Sequence, residues 1–223
     1  MTGVIVRWLG RRPYLPVWRA MQRFTANRTA DSADEIWLLE HEPVYTTGVR
    51  GRPDRDSIDG IPLIRCDRGG LTTYHGPGQL IAYLLIDLAR RPLSVRDLVT
   101  ALERSVIDLL RQYGIRARAR PDAPGVYVER AKIASVGIRV RRLCSYHGLS
   151  LNVDGDLSPF AAIDPCGFSG MPMTRLADLG ADVRTHEAAV PLLGCLIAQL
   201  GYDRIAACHR QLPEQSIDRE QSA

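Results

Sequence analysis

The sequence predicts an α/β (α+β) fold, a mixed β-sheet packed with helices, on three observations. Leu80 to Leu88 is a near-continuous apolar run of strand length, the pattern of a strand covered on both faces. Ser94 to Tyr113 carries apolar residues at helical spacing over its whole length. Between residues 126 and 153 three extended segments follow one another.

In chain order, Val4 to Trp8 reads as a short strand, and Pro13 to Arg28 as a helix that aligns Val17, Met21 and Phe24. Ile36 to Glu40 is a strand, His41-Glu42-Pro43 interrupts it, and Val44 to Thr47 resumes the extended chain. Gly48 to Gly60, rich in Arg, Asp and Gly, is expected to be a loop. After the buried strand, the second helix opens on a capping-box pair, Ser94 and Asp97. Leu98, Leu102, Val106, Leu109, Leu110 and Tyr113 form its apolar stripe, and Gly114 stops it. Val126 to Val128, Lys132 to Val140 and Cys144 to Val153 are successive strands, and a last helix covers about Ala188 to Leu200, with Gly201 after it. No repeat or low-complexity linker divides the chain. Residues 1–210 are therefore expected to form one domain, with residues 211–223 a frayed, disordered tail.

A hydrophobic share of 45% and a charged share of 24% belong to an ordinary globular protein. No apolar run is long enough to span a bilayer, and Met1 to Arg7 lacks the layout of a secretory signal. A cytoplasmic protein without membrane contact is the expectation. The net charge of +4 sits on arginine, with clusters at Arg116, Arg118 and Arg120 and at Arg139, Arg141 and Arg142. Such clusters serve either as solvated faces or as docks for an acidic partner. They lack the interleaved aromatics of a nucleic-acid stacking platform, so no nucleic acid is expected. The five cysteines, at 66, 144, 166, 195 and 208, are odd in number and widely spaced, with no C-x-x-C and no H-E-x-x-H. Neither a disulfide framework nor a metal site is expected.

The chain has 29 basic Lys and Arg residues, and Lys132 is its one lysine. Arginine is always protonated, whereas a buried lysine can give up its proton. Lys132 lies in the apolar, small-residue stretch Ala131 to Gly137, which favours such a role over an incidental lysine in an Arg-biased chain. Arg68 to Gln79 is the segment densest in chemistry: Gly69 and Gly70 allow close backbone approach, and Arg68, Thr73, Tyr74 and His75 supply donors beside the buried strand. It matches neither a P-loop nor a dinucleotide fingerprint. A pocket wall and an ordinary glycine-rich hairpin both fit this composition. Cys166 stands between Pro165 and Gly167, on a turn rather than in apolar company, where a nearby cation would make its thiol a nucleophile. Gly148 and the Ser135-Val136-Gly137 stretch offer flat backbone against which an acyl chain can lie.

Taken together these segments resemble one family. The pattern R-G-G-x-x-T-aromatic-H-x-x-G-Q-x-aliphatic-x-Y runs complete from Arg68 to Tyr83. Lys132 to Gly137, His147 to Asn152 and Pro165-Cys166-Gly167 follow in the family's order and spacing, and Leu39 to Gly48 is similar to its N-terminal segment. The family is that of the lipoyl (octanoyl) transferases. One departure is Arg175 in Thr174-Arg175-Leu176, where the family has Thr-Ser-Leu.

The resemblance implies the catalytic fold of the biotin and lipoate protein ligases. It implies transfer of an octanoyl group from octanoyl-acyl carrier protein to a lysine of lipoyl domains, those of 2-oxoacid dehydrogenases and the glycine cleavage H protein, with no cofactor beyond the carrier's phosphopantetheine. It implies Cys166 as acyl acceptor and Lys132 as the group that holds Cys166 as thiolate. Arg68, Gly69, Gly70, Leu71, Thr72, Thr73, Tyr74 and His75, with Ser135, Val136, Gly137, Gly148, Leu149 and Ser150, would line the octanoyl pocket. His75 is expected to shape that pocket rather than move protons. A monomer is expected. The rivals are an ATP-dependent lipoate or biotin ligase on the same fold, a silent carrier- or lipoyl-binding module, and a Cys-His hydrolase pairing Cys166 with His75 or His147.

Overall fold

The structure, a computed structural model, describes residues 3–52, 54–91, 93–164 and 170–213. The chain opens with β1 (Gly3–Arg12), α1 (Tyr14–Ala26), β2 (Asp34–His41) and β3 (Val44–Thr47). It continues through β4 (Ser57–Ile58), β5 (Ile61–Arg65), β6 (Thr72–His75), β7 (Gln79–Leu85) and α2 (Val95–Gln112). β8 (Arg118–Ala119), β9 (Gly125–Val128), β10 (Ala131–Arg141) and β11 (Cys144–Asn152) follow, then α3 (Thr185–Leu200) and β12 (Arg204–His209).

Eight strands form a mixed sheet in the order β12-β1-β2-β7-β11-β10-β9-β8, and four form a small sheet in the order β4-β5-β3-β6. The large sheet is covered on both faces. Ile36, Leu38, Leu80, Ala82 and Leu84 join the core under α2 and α3, while Trp37, Leu39, Ile81, Tyr83 and Leu85 join the core under α1. This two-sided burial is why β2 and β7 read as unbroken apolar runs. Each fully buried leucine contributes about 2 kcal/mol of transfer free energy.

The capping box of α2 forms as the sequence predicts. Ser94 Oγ accepts the Asp97 N–H, and Asp97 Oδ2 accepts the Ser94 N–H. α3 starts before the expected Ala188, at Thr185, because Glu187 Oε2 accepts the Arg184 N–H at 2.7 Å and caps an extra turn. β1 is longer than expected. β4 lies inside, and β5 just after, the stretch expected to be a loop; β6 lies within the glycine-rich 68–79 segment; β8 and β12 have too little apolar pattern to mark them in the sequence. In the region expected to fray, Gln211 accepts from Arg7 Nη1 at 2.9 Å and Leu212 packs against the core under α1; residues 214–223 lie outside those described.

Asp34, at the start of β2, is buried and serves as a polar junction. Arg28 donates to it at 2.6 Å, Arg90 at 3.0 Å, the Asp87 N–H at 2.9 Å and the Tyr202 hydroxyl at 2.9 Å. Among the described residues no helix is long and apolar enough to cross a membrane.

Candidate active site

A cleft opens on the α1 side of the large sheet where β7, β11 and β10 lie side by side. Register explains its floor. Ile81 pairs with Ser150 and Tyr83 with Gly148, and these pair onward with Ser135 and Gly137 of β10. On that face four small residues make a shallow trough between bulkier neighbours. Gly148 must be glycine, since a Cβ there would collide with the Ala82 carbonyl and stand 2.6 Å from Leu84 Cδ2. The roof is the 68–73 segment, pinned by the Gly69 N–H donating to Ile138 O at 3.0 Å. The space between floor and roof, open mouth included, is about 610 Å³.

Arg68 is buried in that roof. Its Nη2 donates to Thr46 O at 2.6 Å and to Thr46 Oγ1 at 2.9 Å, and its Nη1 to Gly69 O at 2.9 Å. Carbonyls and a hydroxyl hold this guanidinium through the hydrogen bonds just described. Lys132 lines the same cleft and is fully buried. A register shift between Lys132 and Ala134 separates its side chain from the core-facing Ile133 and Ala134. Its Nζ donates to Pro124 O at 3.0 Å and lies 5.4 Å from the Tyr127 ring centroid. Its backbone pairs with the 172–174 stretch: Lys132 N–H donates to Pro172 O at 2.8 Å and Thr174 N–H to Lys132 O at 3.0 Å.

Three histidines cluster at the cleft. His75 Nδ1–H donates to Gln79 Oε1 at 2.7 Å, Gln79 Nε2 to Asn152 Oδ1 at 2.9 Å, and Asn152 Nδ2 to Thr174 O at 3.0 Å. This chain of amides ties His75 to the strand of Lys132. Burial pushes His75 down to about 3. His41 Nδ1–H donates to Arg12 O at 2.9 Å, its Nε2 accepts the Tyr83 hydroxyl at 2.7 Å, and burial pushes it down to about 4. Both rings are neutral at physiological pH. His147 has φ of 60°, a left-handed backbone rarely adopted by a non-glycine residue, and its Nε2–H donates to Asp67 Oδ1 at 2.9 Å. Burial lowers its pKa and Asp67 only partly offsets that.

Asp67 also accepts from Trp18 Nε1 at 2.9 Å, from Gln22 Nε2 at 3.2 Å and from the Tyr146 hydroxyl. Burial alone would raise its carboxyl pKa. The donors on His147, Tyr146 and Trp18 overcome this and hold it well below the usual carboxylate range.

Of the expected pocket residues, Arg68, Gly69, Gly70, Leu71, Thr72, Thr73 and His75 come together with Ser135 to Gly137 and Gly148 to Ser150 around this cleft, and Lys132 joins them. Tyr74 does not. Strand alternation in β6 turns it to the opposite face, where its ring lies 5.4 Å from Tyr45 and 5.7 Å, edge-on, from Phe160. Cys166 lies outside the described residues, as do Pro165 and Gly167. Tyr14, Ile81, Tyr83 and His147 line the cleft without having been singled out for it. Tyr83 closes the Arg68-to-Tyr83 pattern and His147 opens the His147–Asn152 segment, whereas Tyr14 carries no such signal in the sequence.

The model of the lipoyl protein ligase A/B catalytic domain matches residues 13–195. The octanoyltransferase of Methylococcus capsulatus is 58% identical over 204 residues, covering 91% of this chain and 99% of that one. The octanoyltransferase of Dechloromonas aromatica is 56% identical, covering 88% and 96%. This chain belongs to the octanoyltransferase family of that catalytic domain. The fold agrees with that of solved structures. A structure from an archaeal lipoylation system, described as a bipartite lipoate protein ligase and its E2 lipoyl domain from Thermoplasma acidophilum, superposes with a TM-score of 0.72 at 16% identity, over 95% of this chain and 86% of that one. Aquifex aeolicus biotin protein ligase superposes at 0.56 and 15% identity, over 88% and 70%. The octanoyltransferase family membership and the cleft therefore rest on separate grounds, one on sequence identity and one on register and packing.

Proposed function

We propose that this chain is an acyltransferase that moves an octanoyl group from octanoyl-acyl carrier protein, through a thioester on Cys166, to the lysine of a lipoyl domain. The observation that carries the reading is the chain's only lysine, fully buried in the wall of a trough floored by Ser135, Gly137, Gly148 and Ser150. A long, unbranched acyl chain fits a flat floor of small residues, and the basic group beside it can exchange protons.

In this reading the Cys166 thiolate attacks the thioester carbonyl and the C–S bond to the phosphopantetheine breaks. The departing thiolate takes a proton from the Lys132 ammonium. The lipoyl-domain amine then attacks the octanoyl-Cys166 carbonyl, the second C–S bond breaks and an amide forms. The amine's surplus proton passes to Lys132, which restores the starting state. The developing oxyanion needs a donor. In the Gly69–Gly70 turn the Gly69 N–H is committed to Ile138 O, which leaves the Gly70 N–H. The reaction so written needs neither nucleotide nor metal. The neutral, buried His75 shapes the cleft. Arg139 continues the alternation of Ser135 and Gly137 beyond the cleft and is exposed, as are Arg141 and Arg142; Arg118 is exposed on the edge strand beside Tyr127. These arginines are the proposed dock for the acidic carrier protein.

The test is the intact mass after brief incubation with octanoyl-carrier protein. One octanoyl group should be gained, absent in Cys166→Ala and discharged onto added lipoyl domain. No adduct, with amide formed only from free acid and ATP, would replace the reading with a ligase. Charge reversal at Arg139 and Arg141 should weaken carrier-dependent turnover and flatten its salt dependence; unchanged kinetics would remove that dock.

A further inference from the structure

Glu103 is a buried acid on α2 that the reaction above leaves without a part. Its Oε1 accepts the Gly125 N–H at 2.8 Å. That N–H belongs to the same peptide group as the Pro124 carbonyl, and the Pro124 carbonyl accepts from Lys132 Nζ at 3.0 Å. One peptide plane is therefore held from both ends, by a carboxylate on its N–H and by an ammonium on its C=O. A carboxylate drawing on the N–H enriches the carbonyl oxygen, and the carbonyl then binds the ammonium more strongly.

We propose that Glu103 is a positioning residue for Lys132, acting through the Pro124–Gly125 peptide to aim the amine and to favour its ammonium form. The inference rests on the role given to Lys132 in the proposed transfer. A lysine buried alone loses its proton readily. The first half of the transfer needs the ammonium, to hold the thiolate and to protonate the departing thiol. Glu103 supplies the opposing charge without touching substrate. Burial raises the carboxyl's own pKa, while the Gly125 N–H and the charge of Lys132 pull it back. Among the described residues, the other charged or titratable groups about the pair include Tyr127 on β9, Arg120 with its guanidinium 5.1 Å from the same ring, and Arg68 in the cleft roof; in the proposed transfer the Cys166 thiolate is a further one. Pro172, Met173 and Thr174, which pair with the Lys132 strand, add none.

A chain with one lysine allows a direct test. Protein carrying 13C at the lysine ε-carbon gives a single lysine signal, whose titration follows Lys132 without any activity measurement. Glu103→Gln keeps an oxygen for the Gly125 N–H and removes the charge. The Lys132 midpoint should fall by about one pH unit or more, and Glu103→Asp should recover part of that fall. An unchanged midpoint in Glu103→Gln overturns the inference. Should that variant fail to fold, the wild-type signal decides. It must show a second, smaller inflection as Glu103 itself titrates, and its absence overturns the inference equally. If the midpoint moves while the pH profile of octanoyl transfer stays fixed, Glu103 still tunes Lys132, and it is the role of Lys132 in transfer that falls.

Discussion

Gly125 is the seat of the Lys132 amine: a Cβ on this residue would stand 2.6 Å from Lys132 Cε and 3.1 Å from Nζ. Its φ of +140° is closed to L side chains, so conformation and space both demand glycine. Gly125→Ala should lose about 2 kcal/mol or more of stability, through strain and through the collision with the Ala134 carbonyl. It should lose transfer activity more completely than stability. Urea unfolding and a transfer assay on the same preparation check both; an active, stable Ala variant would mean that the amine has another place to go.

Lys132→Arg should reduce turnover by about a hundredfold or more, because guanidinium keeps its proton and cannot serve as acid and base in turn. The wider fork must also displace Tyr127 or the Pro124 carbonyl. Rates within a few-fold of wild type would show that only a positive charge is needed at this position.

Asp67 joins α1 to β11 and leads directly into the roof of the cleft. Its carboxyl has a lower pKa in the native state than in the unfolded chain. Its contribution is therefore complete above the unfolded value, near pH 4, and is lost as pH falls through the native value. The stability difference between wild type and Asp67→Ala should be constant from neutrality to about pH 5 and shrink below it. A difference that stays constant down to pH 2 would contradict the assigned hydrogen bonds.

His41 and His75 shift the opposite way in consequence. Both are held neutral, His41 at about 4 and His75 at about 3. The unfolded chain takes up protons on them below about pH 6.5 while the native chain does not. Stability should therefore drop between about pH 6.5 and 4, each ring contributing a slope near 1.4 kcal/mol per pH unit at most. In His75→Gln the slope measured by denaturant unfolding should be shallower; an equal slope would place the acid sensitivity elsewhere.

Asp34→Ala removes the one carboxylate shared by Arg28 and Arg90 at a buried junction. A loss of about 3–5 kcal/mol is expected, since the buried Arg28 guanidinium loses the carboxylate it pairs with, while Arg90 keeps Asp87. Thermal unfolding measures it, and a shift of only a degree or two would mean that water enters and replaces the carboxylate.

Much of this architecture was legible in the chain, for reasons tied to particular residues. α2 announced itself through Ser94, Asp97 and an apolar stripe, all local signals. β7 stood out because burial on both faces leaves no polar alternation, whereas β11 alternates Leu149 and Leu151 with Ser150 and Asn152 and is buried all the same. β5 did not, because Pro62 and Arg65 break an apolar pattern that only the parallel pairing with β3 makes sense of. The glycines of the cleft were visible as glycines, and their partners were not. Tyr14 reaches the cleft from a helix more than fifty residues before Arg68, and Glu103 reaches Lys132 through a peptide that no spacing rule links to either. Tyr74, which the resemblance implies for the pocket, faces away from it because β6 alternates, and the glycine-rich segment carries no pattern from which a face can be read.

β12, the last strand described, lies parallel to β1, the first, and fills the outer side of it. During synthesis this edge of β1 stays unpaired until the residues of β12 have left the ribosome. A nascent chain halted after α3 already holds every residue of the cleft, yet it presents an open strand edge to its neighbours. Pairing of β12 closes that edge, so the strand that comes last protects the one that comes first.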